Sequence, residues 1–267
     1  MEVKADVCVV GGGILGLSCA YLALKESKKE VVILEKEEEV GLHQSSRNSG
    51  VVHSGIYYPP DSYKARFCLK GKKLLKEFCT KENIPLVKRG KLIVASSEDD
   101  FPAFYKLKEY AEKNGIVVFE LNSKEAKEVE PYVKCIKALH LPEVEVVNFS
   151  DVVLKLAERV AEFGGEILKG RKAEKVSKSS QEIVIECSGG VTVRAKKVIS
   201  CAGLQSDRVA ALFGWKSSVR IIPFKGIYYK LKEEWKHLCR GLIYPTPKLS
   251  LPFLGIHLTR TALEEVK

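Results

Sequence analysis

The sequence has no pair of cysteines in CxxC spacing, a single methionine, no low-complexity tract and no apolar run of membrane-spanning length. Each absence excludes something. Without zinc-finger spacing, no metal site is expected. The eight cysteines, mostly set inside apolar stretches, read as buried free thiols in a reducing compartment. With no basic arm and no aromatic-interleaved basic tract, nucleic acid is not an expected partner. The missing apolar run excludes a transmembrane helix. Met1 is followed by Glu2, Lys4 and Asp6 and then directly by a strand, which leaves no room for a signal peptide and predicts a soluble, cytoplasmic protein.

What is present is the composition of a globular protein. With 267 residues, 45% hydrophobic and 29% charged, the chain can bury a sizeable core in one large domain or two intertwined ones. Its 44 Lys and Arg against 34 Asp and Glu give a formal charge of +10. That excess suits an anionic cofactor, an acidic substrate or peripheral contact at the inner face of a membrane, and does not choose among them.

Along the chain, the apolar run 5–10 ends in Gly11, residues 14–24 carry apolar side chains around most of a helix, and 31–34 resumes a strand. This is a β-α-β unit of about thirty residues. A polar loop over 41–60 follows, long enough to suggest function. Residues 62–83 read as a helix with Leu74, Leu75, Phe78 and Cys79 on one face and lysines on a solvated one. Short strands at 86–87 and 91–95, a helix near 99–114 and further strand-like runs to 147 suggest an interrupted antiparallel sheet with helices on one side. Ser150 is placed to cap a helix ending at Gly164-Gly165. Residues 166–168 then read as a parallel strand, 172–194 as a three-stranded meander and 197–201 as a buried returning strand. The fold class expected is α/β, a doubly wound (Rossmann-like) domain with an inserted α+β domain on an antiparallel sheet.

Gly11-Gly12-Gly13-Ile14-Leu15-Gly16 satisfies GxGxxG between a strand and a helix. Gly11 permits the tight turn, Gly13 lets the backbone approach a pyrophosphate, and Gly16 allows close helix–strand packing. Glu35, at the end of the second strand, is placed to accept hydrogen bonds from a ribose 2′-OH. The fingerprint alone barely separates FAD from NAD; its N-terminal position leans toward FAD. Residues 43–58 then gather hydroxyls, a guanidinium, an amide and two imidazoles between small residues. Such groups suit a pyrophosphate, a ribityl chain and a flavin ring, the alternative being a polar surface loop.

HQSSRNSGVVHSGIYYPPDSYKARFC (43–68) resembles the corresponding stretch of the L-2-hydroxyglutarate dehydrogenase/oxidase family, within the D-amino-acid-oxidase-like FAD superfamily. The resemblance extends through GKLIVA (90–95), EPY (130–132), ISCAGLQSDRVA (199–210), IIPFKGIYYKL (221–231) and IYPTPKLSLPFLGIHLTR (243–260), nearly the whole chain. It implies oxidation of a 2-hydroxy acid, L-2-hydroxyglutarate to 2-oxoglutarate, by hydride transfer to FAD, with electrons passed to quinone or oxygen. By position, Gly11, Gly13, Ile14, Gly16, Glu35 and Lys36 would hold the ADP part, and Ser45, Ser46 and Arg47 would lie along the pyrophosphate and ribityl region. Val176 would meet the adenine through its backbone, and Ala202-Gly203 would approach the cofactor from the other side.

His53, Tyr57 and His257 would face the substrate, with His53 the first choice as base and His257 the second. Lys225, Tyr228, Thr259 and Arg260 are candidates for its two carboxylates. Family members read PFRG followed by an acidic residue where this chain has Lys225 and Ile227, which keeps an amino acid or glycerol 3-phosphate open as the substrate. They also continue past HLTR through a glycine-containing strand and a final helix. The chain therefore reads as truncated, either a non-catalytic remnant or half of a split enzyme with a separately encoded C-terminal partner. The domains expected are 1–85 with 148–217 for FAD, and 86–147 with 218–267 for substrate.

Overall fold

The computed structural model describes residues 1–27, 29–215, 217–248 and 255–267; residues 249–254 of the IYPTPKLSLPFLGIHLTR segment lie outside them. In chain order the strands are β1 (Glu2–Val10), β2 (Val31–Leu34), β3 (Val51–Val52), β4 (Leu86–Lys88), β5 (Lys91–Ala95), β6 (Phe119–Asn122) and β7 (Lys137–Leu141). They continue as β8 (Glu145–Val147), β9 (Glu166–Leu168), β10 (Ala173–Lys178), β11 (Ile183–Cys187), β12 (Val191–Ser200), β13 (Leu242–Pro245) and β14 (Leu258–Thr259). The α-helices are α1 (Ile14–Glu26), α2 (Tyr63–Lys81), α3 (Phe101–Lys113), α4 (Ser123–Val129), α5 (Phe149–Glu162) and α6 (Ser206–Leu212). The chain forms two compact units, Met1–Asn48 with Phe149–Gly226, and Ser49–Asn148 with Ile227–Lys267.

The first unit is built on a 6-stranded sheet in the order β10-β11-β12-β1-β2-β9. β12, β1, β2 and β9 run parallel, which is why the end of β1 and all of β2 are continuous apolar runs buried on both faces. α1 and α5 pack against each other, with Tyr21 meeting Phe163 edge to face at 5.8 Å. This is the doubly wound arrangement expected. Two local expectations change. α5 begins at Phe149, so Ser150 lies in the first turn rather than at the cap, with Asp151 beside it favouring the positive end of the helix. The third meander strand and the returning strand are one element: residues 191–195 of β12 pair antiparallel with β11, and 192–200 pair parallel with β1. No glycine or proline interrupts VTVRAKKVIS, so nothing ends the strand halfway.

In the second unit a 5-stranded sheet runs β14-β13-β5-β7-β6. Its pairs are antiparallel except β13 with β5, which are parallel. A small antiparallel sheet, β3-β8-β4, stands beside it. On one face of the larger sheet Ile93, Leu139 and Leu141 pack under Phe104, Leu107 and Ala111 of α3; on the other, Leu92, Val94 and Ala138 meet Ala126 and Val133. Ser62 caps α2 by accepting the Ala65 N–H. The inward line of α2 passes through Ala65, Cys68, Leu75 and Cys79, and Leu74, expected on the buried face, is about 100° off that line and exposed.

The breaks between units also differ from the sequence reading. Separation falls after Asn48 rather than near residue 85, because β3 already pairs with β8. The later break falls after Gly226 rather than residue 217, because the Ile221 N–H is held by the Asp207 carboxylate at 3.2 Å.

Candidate functional site

The turn between β1 and α1 is shaped by missing side chains. Gly11 has φ +113°, and a Cβ there would meet the Cys201 carbonyl oxygen at 2.4 Å. At Gly16 a Cβ would lie 1.8 Å from the Gly11 oxygen, so helix and strand approach as closely as the backbones allow. Gly13 is the N-cap of α1 and has no side chain to cap it; Ser45, from the loop after β2, accepts the Ile14 N–H instead at 2.9 Å. No acidic side chain occupies the first turn, leaving the positive end of the helix to an outside anion.

Glu35 ends up just beyond β2 and only 7% exposed. Its Oε2 accepts the Gly12 N–H at 2.8 Å and its Oε1 the Glu37 N–H at 2.9 Å. These are charge-assisted bonds, and a carboxylate with about four acceptor positions keeps room for hydroxyl donors.

A cavity of about 960 Å³ opens on this turn, at the upper end of the range for cofactor pockets. Of the candidate cofactor residues, Gly11, Gly13, Ile14, Glu35, Lys36, Ser45, Ala202 and Gly203 line it. Gly16 serves packing instead. Ser46 bonds the Gly41 carbonyl, and the Arg47 side chain is exposed; neither lines the cavity. Val176 packs against the core of the sheet, and the part of β10 that reaches the cavity is Ala173 and Glu174. Sequence reasoning missed Arg171, Lys172 and Arg208, which together with Lys36 outnumber the two lining carboxylates, Glu35 and Glu174. The signal was there, as a basic cluster directly ahead of β10.

A different cluster forms within the second unit. Lys91, at the start of β5, is 3% exposed, and its Nζ lies 3.7 Å from the Tyr244 ring centre and 4.6 Å from that of Tyr57. The Tyr244 hydroxyl and Thr259 Oγ1 share a hydrogen bond of 3.1 Å, and the His257 ring stands 4.3 Å from the Tyr244 ring. The Tyr57 hydroxyl is buried with no hydrogen-bond partner among the described residues. Burial raises the pKa of Tyr57, with Tyr244 adding to it; burial likewise raises that of Tyr244, against hydrogen bonds with Thr259 and Ser49 that pull it down, and Tyr228 adds the smallest push. Burial alone pushes Lys91 down to about 7.

His53 keeps an open face, yet protein crowds its remaining sides and displaces water. That crowding, with the Lys91 charge as the smaller cause, pushes its pKa down to about 4.

His53, Tyr57, Tyr228, His257 and Thr259 thus come together, around Lys91 and Tyr244, which the sequence reading did not single out. Arg260 does not join them: its Nε bonds Glu264 at 2.8 Å and a terminal nitrogen reaches the Cys239 carbonyl. Lys225 belongs to the first unit, exposed and without an ion pair among the described residues. No group of three or more His, Cys, Asp and Glu side chains suited to a metal occurs among the described residues, and no helix there is long and apolar enough to cross a membrane.

The family described as FAD dependent oxidoreductase matches the chain over residues 6–266. L-2-hydroxyglutarate dehydrogenase of Indibacter alkaliphilus is 41% identical over 259 residues, covering 96% of this chain and 64% of that protein. The mitochondrial L-2-hydroxyglutarate dehydrogenase of Homo sapiens is 40% identical over 267 residues, covering 95% of this chain and 58% of that protein. The chain thus spans about three fifths of the length of these relatives. Among solved structures, L-alpha-glycerophosphate oxidase from Mycoplasma pneumoniae with FAD bound superposes with a TM-score of 0.82 at 22% identity, over 98% of this chain and 70% of that one. Glycine oxidase from Geobacillus kaustophilus gives 0.82 at 20%, over 99% and 70%. At such identities these two speak for the fold alone.

Proposed function

The chain belongs to the family of FAD dependent oxidoreductases, and from that premise we propose that its first unit binds FAD and that its second unit holds a 2-hydroxy acid for oxidation, L-2-hydroxyglutarate to 2-oxoglutarate. The observation that carries the cofactor is the cavity on the glycine turn. It joins a helix start with no acidic side chain in its first turn, the glycine turn whose Gly11 has no space for a Cβ, a carboxylate with spare acceptor positions and an excess of cations, which fits a dinucleotide. Gly11, Gly13, Ile14, Glu35, Lys36, Ser45, Ala202 and Gly203 would hold it, with Arg171, Lys172 and Arg208 balancing the phosphate charge. Bound FAD supplies a hydride acceptor for the substrate and a donor to quinone or oxygen.

The residues of the second unit would do the rest. His53, neutral at pH 7, has a ring nitrogen free to take the substrate hydroxyl proton as the α-carbon hydride departs. Thr259, Tyr228 and Tyr57 offer hydroxyls to an acid, and His257 stands by as the second candidate base. A net charge of +10 suits the anionic substrate and also leaves the surface open to anionic lipid. A separately encoded chain supplying the remaining length of the relatives would be the natural partner, testable by co-expression.

The deciding experiment is reconstitution with excess FAD and with NAD, followed by the absorption spectrum of the released cofactor. Bound flavin is the expected outcome. Uptake of NAD without flavin overturns the cofactor, and flavin that no 2-hydroxy acid reduces overturns the substrate class.

A further inference from the structure

Lys91 stands on the same strand face as Ile93 and Ala95, the face covered by α3 and by the loop around Ile56. An ammonium is out of place there. Among the described residues no carboxylate and no hydrogen-bond acceptor meets its Nζ, and its neighbours are the two tyrosine rings. A ring face offers a cation much less than the burial of an ion costs. Beside it, the buried Tyr57 hydroxyl is also without a partner among the described residues. Buried polar groups are nearly always satisfied, so an unanswered hydroxyl beside an ammonium that meets only ring faces indicates a site that a ligand completes.

The chemistry of that ligand follows from the donors. Ammonium and phenol both donate, so the ligand accepts; the uncompensated charge is positive, so it is an anion. A single cation matches the single charge of a carboxylate and would leave most of a phosphate's charge unanswered.

We propose that Lys91 and Tyr57 form a buried subsite seating one carboxylate of a small organic acid, Lys91 supplying the charge and the Tyr57 hydroxyl a hydrogen bond. The identity of the acid rests on the function proposed above; the subsite itself does not. Tyr244 walls it with a ring already committed through its hydroxyl to Thr259. The titratable groups facing Lys91 are His53, Tyr57 and Tyr244. With His53 pushed down and both tyrosines pushed up, all three are neutral near pH 7, and Lys91 supplies the local charge. Since burial brings Lys91 itself down to about 7, an arriving anion completes its protonation, and binding above that pH takes up a proton.

Calorimetric titration of glutarate into the purified chain, at pH 6.5 and 8.5 in buffers of different ionisation enthalpy, tests this. Affinity is expected to fall about tenfold or more between the two, by up to tenfold per unit above the lysine pKa, with close to one proton taken up at pH 8.5. Lys91→Met should lose at least tenfold at pH 6.5 and all proton uptake. Tyr57→Phe should lose a few-fold and keep the uptake, and the neutral diamide of glutarate should not bind. No glutarate binding by the native chain, or unchanged affinity in a folded Lys91→Met, overturns the subsite. The two proposals fail separately. Proton-linked glutarate binding in a chain whose flavin no hydroxy acid reduces keeps the subsite and removes the hydroxy-acid reading. Reduction with a KM indifferent to Lys91→Met does the reverse.

Discussion

The Glu35 carboxylate accepts the Gly12 backbone N–H at 2.8 Å, tying the end of β2 to the glycine turn that follows β1. Its other oxygen holds the Glu37 N–H. The side chain therefore shapes the cavity as well as lining it, and a substitution there should register in the protein without cofactor as well as in cofactor affinity.

Glu35→Gln places an amide NH₂ where one of those two N–H donors must find an acceptor. The apo-protein is expected to lose about 1–3 kcal/mol in urea denaturation, the cost of an unsatisfied buried donor. Glu35→Ala should in addition weaken FAD by roughly 1.5–3 kcal/mol, read by titrating FAD into the apo-protein. Unaltered values in both would make Glu35 an ordinary strand-end carboxylate.

Two glycines in helices should respond oppositely to alanine. Gly16→Ala drives a Cβ into the Gly11 backbone oxygen, which no rotamer can relieve, so a loss of about 3 kcal/mol or more is expected. Gly71, inside α2, has nothing within 4 Å of its missing Cβ, and Gly71→Ala should stabilise by about 0.5–1 kcal/mol. Denaturation midpoints for the pair check both signs.

Lys91 should make stability depend on pH in an unusual window. Its folded pKa of about 7 lies below the ordinary 10.5, so between these values the unfolded chain binds more protons and stability rises with pH. Below pH 7 the full penalty applies. Lys91→Met is expected to be more stable than the native chain by about 1–4 kcal/mol at pH 6, with the difference shrinking toward pH 10. Urea titrations across that range would show it. A destabilised variant at pH 6 would reveal a partner for the ammonium.

The chemistry carries the sharpest expectation. With FAD bound, His53→Ala should slow flavin reduction by about 10² to 10⁴ while barely altering substrate affinity, as for a general base. Because His53 is pushed down to about 4, the acid limb of kcat/KM should fall near that value rather than near 6.5. Native stability should also decline as pH drops from 6.5 toward 4, since the unfolded chain takes up the proton first. Anaerobic stopped-flow reduction separates rate from affinity; a normal limiting rate in His53→Ala would move the search to His257.

The turn was legible in the sequence because everything it needs is local: three glycines at fixed spacing between a strand and a helix, and a carboxylate at the end of the next strand. The part of β10 that reaches the cavity was not. Val176 came with the resemblance alone, and the strand meets the cavity two and three residues earlier, at Glu174 and Ala173. Lys91 was hidden for another reason. Within GKLIVA it reads as a polar strand start, and its burial depends on Tyr57 and Tyr244, which reach it from a distant loop and a distant strand. Arg260 looked like a carboxylate ligand by charge alone; Glu264, four residues on, claims it.

β12 is the partner of β1 across the middle of the 6-stranded sheet, pairing Glu2 with Thr192 and Val10 with Ser200. During synthesis β1 leaves the ribosome about 190 residues ahead of that partner, on the order of 10–40 s at 5–20 residues per second. Through that interval Val7, Val9 and Val10 can pair only with β2, and one side of a strongly apolar strand stays open to any other nascent strand nearby. Yield in cells should therefore be governed by chaperone supply and translation speed as much as by final stability.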